Sequence, residues 1–255
     1  MQPLIDIAIT GASSGLGRAL ALAYAKAGVT LHLAGRDAVR LGAVAAEARA
    51  RGAAVVETVV DVTAQAEMAA WVQGCVRLDL VIANAGISTG PGDGPWETPA
   101  QIRTLFETNI FGVFNTVLPA LALMSAQPPG ADGVRGRVAV IGSIAGLIAL
   151  PNSPAYSASK ALLDFWLTGT GPSAAKAGVG LTLVRPGFIR TPMTARNPFI
   201  MPGLMDAEAA AEKIIAGIAV GKTRITFPWW LAAMARFGQM MPKRFLAGMR
   251  KKPAL

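Results

Sequence analysis

Short runs rich in Val, Ile and Leu alternate along the chain with longer Ala-rich stretches. The short runs at 4–10, 30–35, 54–60, 78–84, 137–143 and 179–185 read as strands. The stretches 15–28, 37–51, 64–75, 99–126 and 153–177 read as helices, and Gly28 and Gly52 mark the ends of the first two. The strands are close to continuously apolar, which predicts a sheet buried on both faces. Regular alternation of strand and helix, with right-handed crossovers, predicts an α/β fold built on a doubly wound parallel sheet, the Rossmann arrangement. Residues 1–226 form one expected domain, followed by a C-terminal helical extension over 227–255. Three segments interrupt the rhythm: 86–98 and 127–136, rich in Gly and Pro, and 187–205, rich in Pro and Met. Long loops of this kind carry function or mobility.

Composition narrows the class. Apolar residues make up 53% and charged residues 15% of the chain, enough to build a core and too apolar for disorder. Cys75 is the single cysteine, so no internal disulfide forms, and a reducing, cytoplasmic setting is expected. His32 is the single histidine and lies inside the second strand, where a structural role is expected; with Cys75 it makes no zinc site. Cys75 and Trp71 read as packing residues. The start, Met1-Gln2-Pro3, lacks the basic segment of a secretory signal. The apolar run Val138 to Leu150 is too short to span a bilayer. The net charge of +9 is lopsided: residues 213–255 hold nine basic side chains and no acid, and the rest of the chain is neutral.

The stretch TGASSGLG, Thr10 to Gly17, follows the first strand and opens the first helix. Gly11 permits a tight turn, Gly15 lets a pyrophosphate approach the backbone, and Gly17 lets helix and strand pack closely. The free N–H groups and positive end of the helix suit phosphate. Gly11, Ser13, Ser14, Gly15, Leu16 and Gly17 are therefore candidate dinucleotide-binding residues. About 20 residues past the turn, where a carboxylate would hold the ribose of NAD, the chain has Gly35 and then Arg36. A guanidinium suits a 2′-phosphate, so NADP (as NADPH) is the expected cofactor. The alternatives are that Arg36 only pairs with Asp37, or that Asp37 itself reaches the ribose.

Tyr156 and Lys160, in the stretch YSASK, stand four residues apart and share a helix face, with small residues between them. A phenol titrates near 10, so acid/base work near neutral pH needs its pKa lowered by about 3, equivalent to roughly 4 kcal/mol. A nearby lysine cation and the positive ring of an oxidised nicotinamide both push in that direction. On its own the pair could be an ordinary surface tyrosine and a solvated lysine.

Other motifs occur with it in a fixed order: TGASSGLG (10–17), DV (61–62), NAG (84–86), Asn109 in ETNIFGVF, Ser143 in VIGSIAG, YSASK (156–160) and RPGFIRTPM (185–193). On these the chain resembles the short-chain dehydrogenase/reductase family over at least 4–193. The resemblance implies Tyr156 as general acid/base and Ser143 as hydrogen-bond partner of the substrate oxygen. It implies that Lys160 binds the ribose of the nicotinamide half and lowers the Tyr156 pKa, and that Asn109 holds a water in a proton relay. It places Asp61 and Val62 by the adenine, and Asn84, Ala85 and Gly86 under the cofactor. Pro186, Gly187 and Ile189 go against the nicotinamide, and Thr191 at its amide or the pyrophosphate. Asn109 falls mid-helix, where an amide has poor propensity. Homodimer or homotetramer is implied as well. The stretch between Asn109 and Ser143 looks lengthened by the 127–136 loop.

The reaction so implied is reduction of a ketone or aldehyde, or oxidation of the matching secondary alcohol. In the 187–205 loop, Met193, Phe199, Ile200, Met201, Leu204 and Met205 are expected to line an apolar pocket, which favours a lipid-like substrate; the alternative is that they pack on the following helix. Trp96 lies near the expected cleft. A 3-oxoacyl thioester on an acidic carrier protein is the runner-up substrate. A non-catalytic NADP-binding sensor or scaffold is the rival from another class, disfavoured because all four site residues are present.

In the extension, Trp230, Met234, Phe237, Met241 and Phe245 form one stripe, opposite Arg236, Lys243 and Arg250. Gly238 and Pro242 are expected to divide it into two short helices. Such a helix suits an anionic membrane surface, an acidic carrier, another subunit or the body of the protein. Nucleic acid is not an expected partner, because no reading motif accompanies the charge.

Overall fold

The computed structural model describes residues 5–89, 94, 96–197 and 199–239, the side chains of Arg196 and Gln239 excepted. Seven strands form the central sheet: β1 (Asp6–Thr10), β2 (Thr30–Gly35), β3 (Ala54–Val59), β4 (Leu80–Ala83), β5 (Gly136–Ile141), β6 (Val179–Pro186) and β9 (Arg224–Phe227). Their order is β3-β2-β1-β4-β5-β6-β9, with every pair parallel. A separate two-stranded parallel pair joins β7 (Ile189–Arg190) to β8 (Met205–Asp206). The order reverses between β1 and β4, which opens a crevice at the carboxyl ends of the strands.

Each strand sends alternate side chains to opposite faces. Ile7, Ile9, Leu31, Leu33, Leu80 and Ile82 face one layer, with helices α1 (Gly15–Tyr24), α2 (Ala38–Ala50) and α7 (Ala207–Ala219). Ala8, Val81, Val138, Val140 and Leu183 face the other, with α3 (Gln65–Gln73), α5 (Gly112–Ala126) and α6 (Pro154–Lys176). The edge strand β3 departs from the expected two-sided burial: Val56 and Val59 are exposed. Helix α7 and strand β9 complete the sheet in a region where the sequence pattern predicted no element.

The expected single helix over 99–126 is interrupted. Helix α4 (Pro99–Phe106) opens with a capping box between Thr98 and Gln101, and a π-helical turn, Glu107–Phe111, separates it from α5. The whole run is apolar enough by composition to cross a bilayer. Its Val113, Val117, Ala120 and Met124 instead pack on the sheet. Phe111 and Leu118 remain exposed, as do Leu162 and Phe165 on α6. The 127–136 loop is anchored by Gln127, whose buried amide bonds the backbone of Leu78 through both its oxygen (3.2 Å) and its nitrogen (2.8 Å).

Helix α8 (Trp229–Gln239) turns Met234 and Phe237 of the expected stripe to solvent. Ala232 and Ala235 turn inward onto Ile144, Leu147 and Ile148, while Met234 and Phe237 face outward. Small residues are buried because the helix lies close on the loop after β5. Gly238 does not end the helix, which continues to Gln239; Pro242, Met241 and Phe245 lie outside the described residues.

Candidate active site

The glycine turn after β1 is held from below. Asn84 donates its amide to the carbonyls of Thr10 (2.9 Å) and Gly11 (3.3 Å). The Thr10 hydroxyl accepts the N–H groups of Asn84 and Ala85, both at 3.1 Å. Gly17 packs as expected: a Cβ there would lie 2.1 Å from the Gly11 carbonyl oxygen. Gly15 has φ +52°, and a side chain on it would press on Thr191 across the cleft. The turn is thus a cradle that needs glycine at positions 11, 15 and 17, which fits a dinucleotide pyrophosphate against the α1 N-terminus.

The cleft above this turn has a volume of about 790 Å³. It brings together Gly11, Ser13, Ser14, Gly15, Leu16, Arg36, Val62, Asn84, Ala85, Gly86, Ser143, Tyr156, Lys160, Pro186, Gly187, Ile189 and Thr191. Three expected site residues do not line it. Gly17 is taken up by helix packing. Asp61 turns to Thr63, whose N–H and hydroxyl it accepts at 2.9 Å each, and to Arg36 at 3.4 Å. Asn109 is fully buried; its amide oxygen accepts the N–H of Ile87 (2.8 Å), and its nitrogen donates to the Ile87 carbonyl (2.9 Å) and the Ser159 hydroxyl (3.3 Å). It stands in the π-helical turn, which explains an amide at mid-helix: the local widening lets it fasten the chain just past Gly86.

At the adenosine end, Asp37 caps α2. Its carboxylate accepts the Arg40 N–H (2.9 Å) and Nε (2.7 Å), and these bonds hold its pKa below the usual range. Arg40, which the sequence reading did not single out, also lines the cleft beside Arg36.

At the other end stand Ser143, Tyr156 and Lys160. Ser143 closes β5 and caps a 3₁₀ turn, its hydroxyl accepting the Ala145 N–H at 3.0 Å. The Lys160 ammonium donates to the Ile141 carbonyl (2.8 Å) and lies 5.8 Å from the centre of the Tyr156 ring. Burial lowers the Lys160 pKa from 10.5 to about 8. Burial also raises the Tyr156 pKa, and the hydrogen bond from Ser143 offsets part of that rise. The lowering of the phenol by Lys160, expected from the spacing, is thus not a property of the polypeptide alone. The upward push acts on a residue that keeps partial exposure at the cleft wall, so solvent moderates it.

Glu97 supports the catalytic helix and was not singled out from the sequence. It is buried, and its carboxylate accepts the N–H of Ala155, the residue before Tyr156, at 2.9 Å. The only sequence-level signal was its place in the Gly/Pro-rich 86–98 segment. Trp96 beside it is exposed and does not line the cleft. Of the six apolar residues expected to line a pocket from the 187–205 loop, only Met193 does so. Phe199 stacks edge-on against Phe188 at 5.9 Å, Ile200 is 93% exposed, and Met205 is held in β8 beside Ile189. Pairing of β7 with β8 turns that end of the loop toward the body. His32 and Cys75 hold the structural places expected of them: His32 lies 3.7 Å from Asp6, and the buried Cys75 thiol is pushed up to about 11.

Comparison with known proteins agrees with this geometry. The family model described as short chain dehydrogenase matches residues 6–198. An uncharacterized oxidoreductase of Myxococcus xanthus is 36% identical over 92% of this chain and 91% of its own. A short-chain dehydrogenase/reductase of Burkholderia phymatum, solved with NAD, superposes with a TM-score of 0.82 at 22% identity, covering 100% of this chain and 99% of the other. A short-chain dehydrogenase of Sphingobium yanoikuyae, solved with NADPH, gives 0.77 at 25% identity, covering 99% and 98%. The chain belongs to the short-chain dehydrogenase/reductase family and is an NAD(P)-dependent oxidoreductase of alcohol and carbonyl groups.

Proposed function

We propose that this chain is an NADP(H)-dependent reductase of an apolar, lipid-like ketone or aldehyde, and in reverse a secondary-alcohol dehydrogenase. The observation that carries the NADP reading is the engagement of Asp37 with Arg40. The one carboxylate near the end of β2 that could hold a ribose diol is already bonded, and two guanidiniums, Arg36 and Arg40, line the cleft beside it. Among the described residues the contact of Arg36 is a long one to Asp61 at 3.4 Å, which leaves the guanidinium able to turn to a 2′-phosphate.

The cradle of Gly11, Ser13, Ser14, Gly15 and Leu16 would hold the pyrophosphate, Val62 and Ala85 would flank the adenine side, and Pro186, Gly187, Ile189 and Thr191 the nicotinamide side. When bound, the nicotinamide supplies or accepts the hydride. Ser143 donates a hydrogen bond to the substrate oxygen. Tyr156 gives its proton to that oxygen during reduction and takes it back during alcohol oxidation. A phenol with a raised pKa is protonated at neutral pH, as reduction requires. Lys160, with its pKa lowered to about 8, is still mostly protonated at pH 7; it places a cation beside the phenolate left behind and would hold the ribose. Asn109 fixes the backbone at Ile87 and so the loop past Gly86, and its amide also donates to Ser159, whose hydroxyl donates to the Tyr156 backbone carbonyl at the head of the catalytic helix.

Ile87, Pro186, Pro192 and Met193 on the cleft wall support an apolar substrate. The exposed apolar face of α5 and α6, with Phe111, Leu118, Leu162 and Phe165, supports a homo-oligomer, readable from the sedimentation mass. The test is oxidation of NADPH and of NADH over a carbonyl panel that includes medium-chain ketones and a 3-oxoacyl thioester. NADPH consumption with the apolar ketones is expected. Preference for the thioester supports the carrier-linked reading instead, and cofactor binding without turnover on any compound supports a sensor.

A further inference from the structure

Helix α8 presents an outward face that the fold does not use. Trp229 is 76% exposed, Met234 62% and Phe237 66%, on a helix of eleven residues that contains no acid. Arg236 borders this face. Residues 240–255, which follow, contain Lys243, Arg244, Arg250, Lys251 and Lys252 and likewise no acid. Exposed Trp, Phe and Met on a helix that the chain follows with a dense run of basic residues match the two demands of an anionic bilayer surface: apolar insertion to the depth of the headgroups, and attraction to lipid phosphate.

The inner side of α8 sits on both loops that shape the cleft. Ala232 and Ala235 pack on Ile144, next to Ser143. Leu231 and Pro228 lie against Gly187, and Trp230 against Gly203, in the segment that follows Met193. A surface contacted through the outer side of α8 is therefore one helix away from the substrate wall.

We propose that the outer face of α8, together with the cations of residues 240–255, docks this enzyme on an anionic lipid surface, with Trp229, Met234 and Phe237 as the inserting side chains. A second copy of the chain fits the face poorly, because self-pairing would bring Arg236 toward its own equivalent, with no acid on α8 to offset it. The docking does not depend on which carbonyl compound is reduced, so its test needs no turnover.

The test is flotation of the full chain with vesicles of phosphatidylcholine alone and of phosphatidylcholine with about 30% phosphatidylglycerol, at ionic strengths of about 0.1 M and about 0.5 M. Binding to the anionic vesicles, at least about tenfold weaker on neutral ones and weakened by salt, is expected. Met234→Ser/Phe237→Ser changes only exposed side chains, and it is expected to weaken binding at least about tenfold while activity on a soluble ketone persists. A chain lacking residues 240–255 is expected to lose salt-sensitive binding. Failure of the full chain to float with anionic vesicles overturns the proposal. So does binding that is indifferent to both changes. Dissociation of an oligomer by Met234→Ser/Phe237→Ser assigns the face to a second copy, and activation on removal of 240–255 assigns it to that segment folding back; either result also overturns lipid docking.

Discussion

Lys160 is the group on which folding and function pull in opposite directions. The residue is 5% exposed, and among the described residues its ammonium has one acceptor, the Ile141 carbonyl. Burial displaces its pKa from 10.5 to about 8, which at about 1.4 kcal/mol per tenfold amounts to about 3 kcal/mol of strain on the folded apoprotein. Below pH 8 the folded and unfolded lysines both carry the proton, and this cost is present in full. Between pH 8 and 10.5 the folded lysine releases its proton while the unfolded one keeps it. The unfolded state then binds more protons, so stability rises with pH. Between pH 7.5 and 9.5 the gain works out at about 2 kcal/mol. Cys75, raised to about 11, and the raised tyrosines Tyr24 and Tyr156 act the other way once the pH passes the values of the unfolded thiol and phenols. The measurement is therefore a difference. Urea unfolding of the apoprotein and of Lys160→Met at pH 7.5 and 9.5 is expected to show the wild type gaining about 2 kcal/mol relative to the variant. Absolute stability of the variant is a poorer readout, because it leaves the Ile141 carbonyl unpaired. Parallel pH dependence in the two proteins would refute the placement of a buried ammonium at this site.

Two further outcomes follow from the cleft walls. Arg36→Asp is expected to lower NADPH affinity by about 10–100-fold, the worth of one charge-assisted hydrogen bond, while NADH affinity holds or rises; equilibrium binding by cofactor fluorescence checks it. Glu97→Ala leaves the Ala155 N–H without its acceptor at the start of the catalytic helix, and is expected to cost about 1–3 kcal/mol and lower kcat severalfold with cofactor Kd unchanged. Glu97→Gln, which keeps an accepting oxygen, is expected to restore kcat; an equal loss in both variants would show that the hydrogen bond is not what matters.

Much of the architecture was legible because burial leaves a periodic trace. Ile7, Ile9, Leu80 and Ile82 could be placed in a two-sided sheet from their neighbours alone, and the glycine turn, Ser143, Tyr156 and Lys160 could be placed at one edge of it. Strand β9 was missed because four residues, Arg224–Phe227, give too short a pattern to stand out between Lys222 and Pro228. The stripe of large residues on helix α8 was legible, but not which face of the helix packs on the body. Close approach to Ile144 and Leu147 favours Ala232 and Ala235, and sequence periodicity does not report how near two elements lie. Asn109 was found, but its service to Ile87 depends on a π-helical turn that has no sequence signature. Helix spacing shows that Lys160 is near Tyr156 but not how much water both groups lose, so the upward push of burial on the phenol in the polypeptide by itself was not legible. Arg40 and Glu97 escaped notice because their importance lies in single hydrogen bonds made across the fold or at a cap.

The central claim is that the Tyr156 hydroxyl moves the proton. Tyr156→Phe removes that oxygen and little else. Measured with NADPH and a reducible ketone, kcat is expected to fall by at least about a thousandfold, the upper part of the usual range for a general acid, with the fold and NADPH Kd unchanged. Retention of kcat within about tenfold in a folded, NADPH-binding variant would contradict the account.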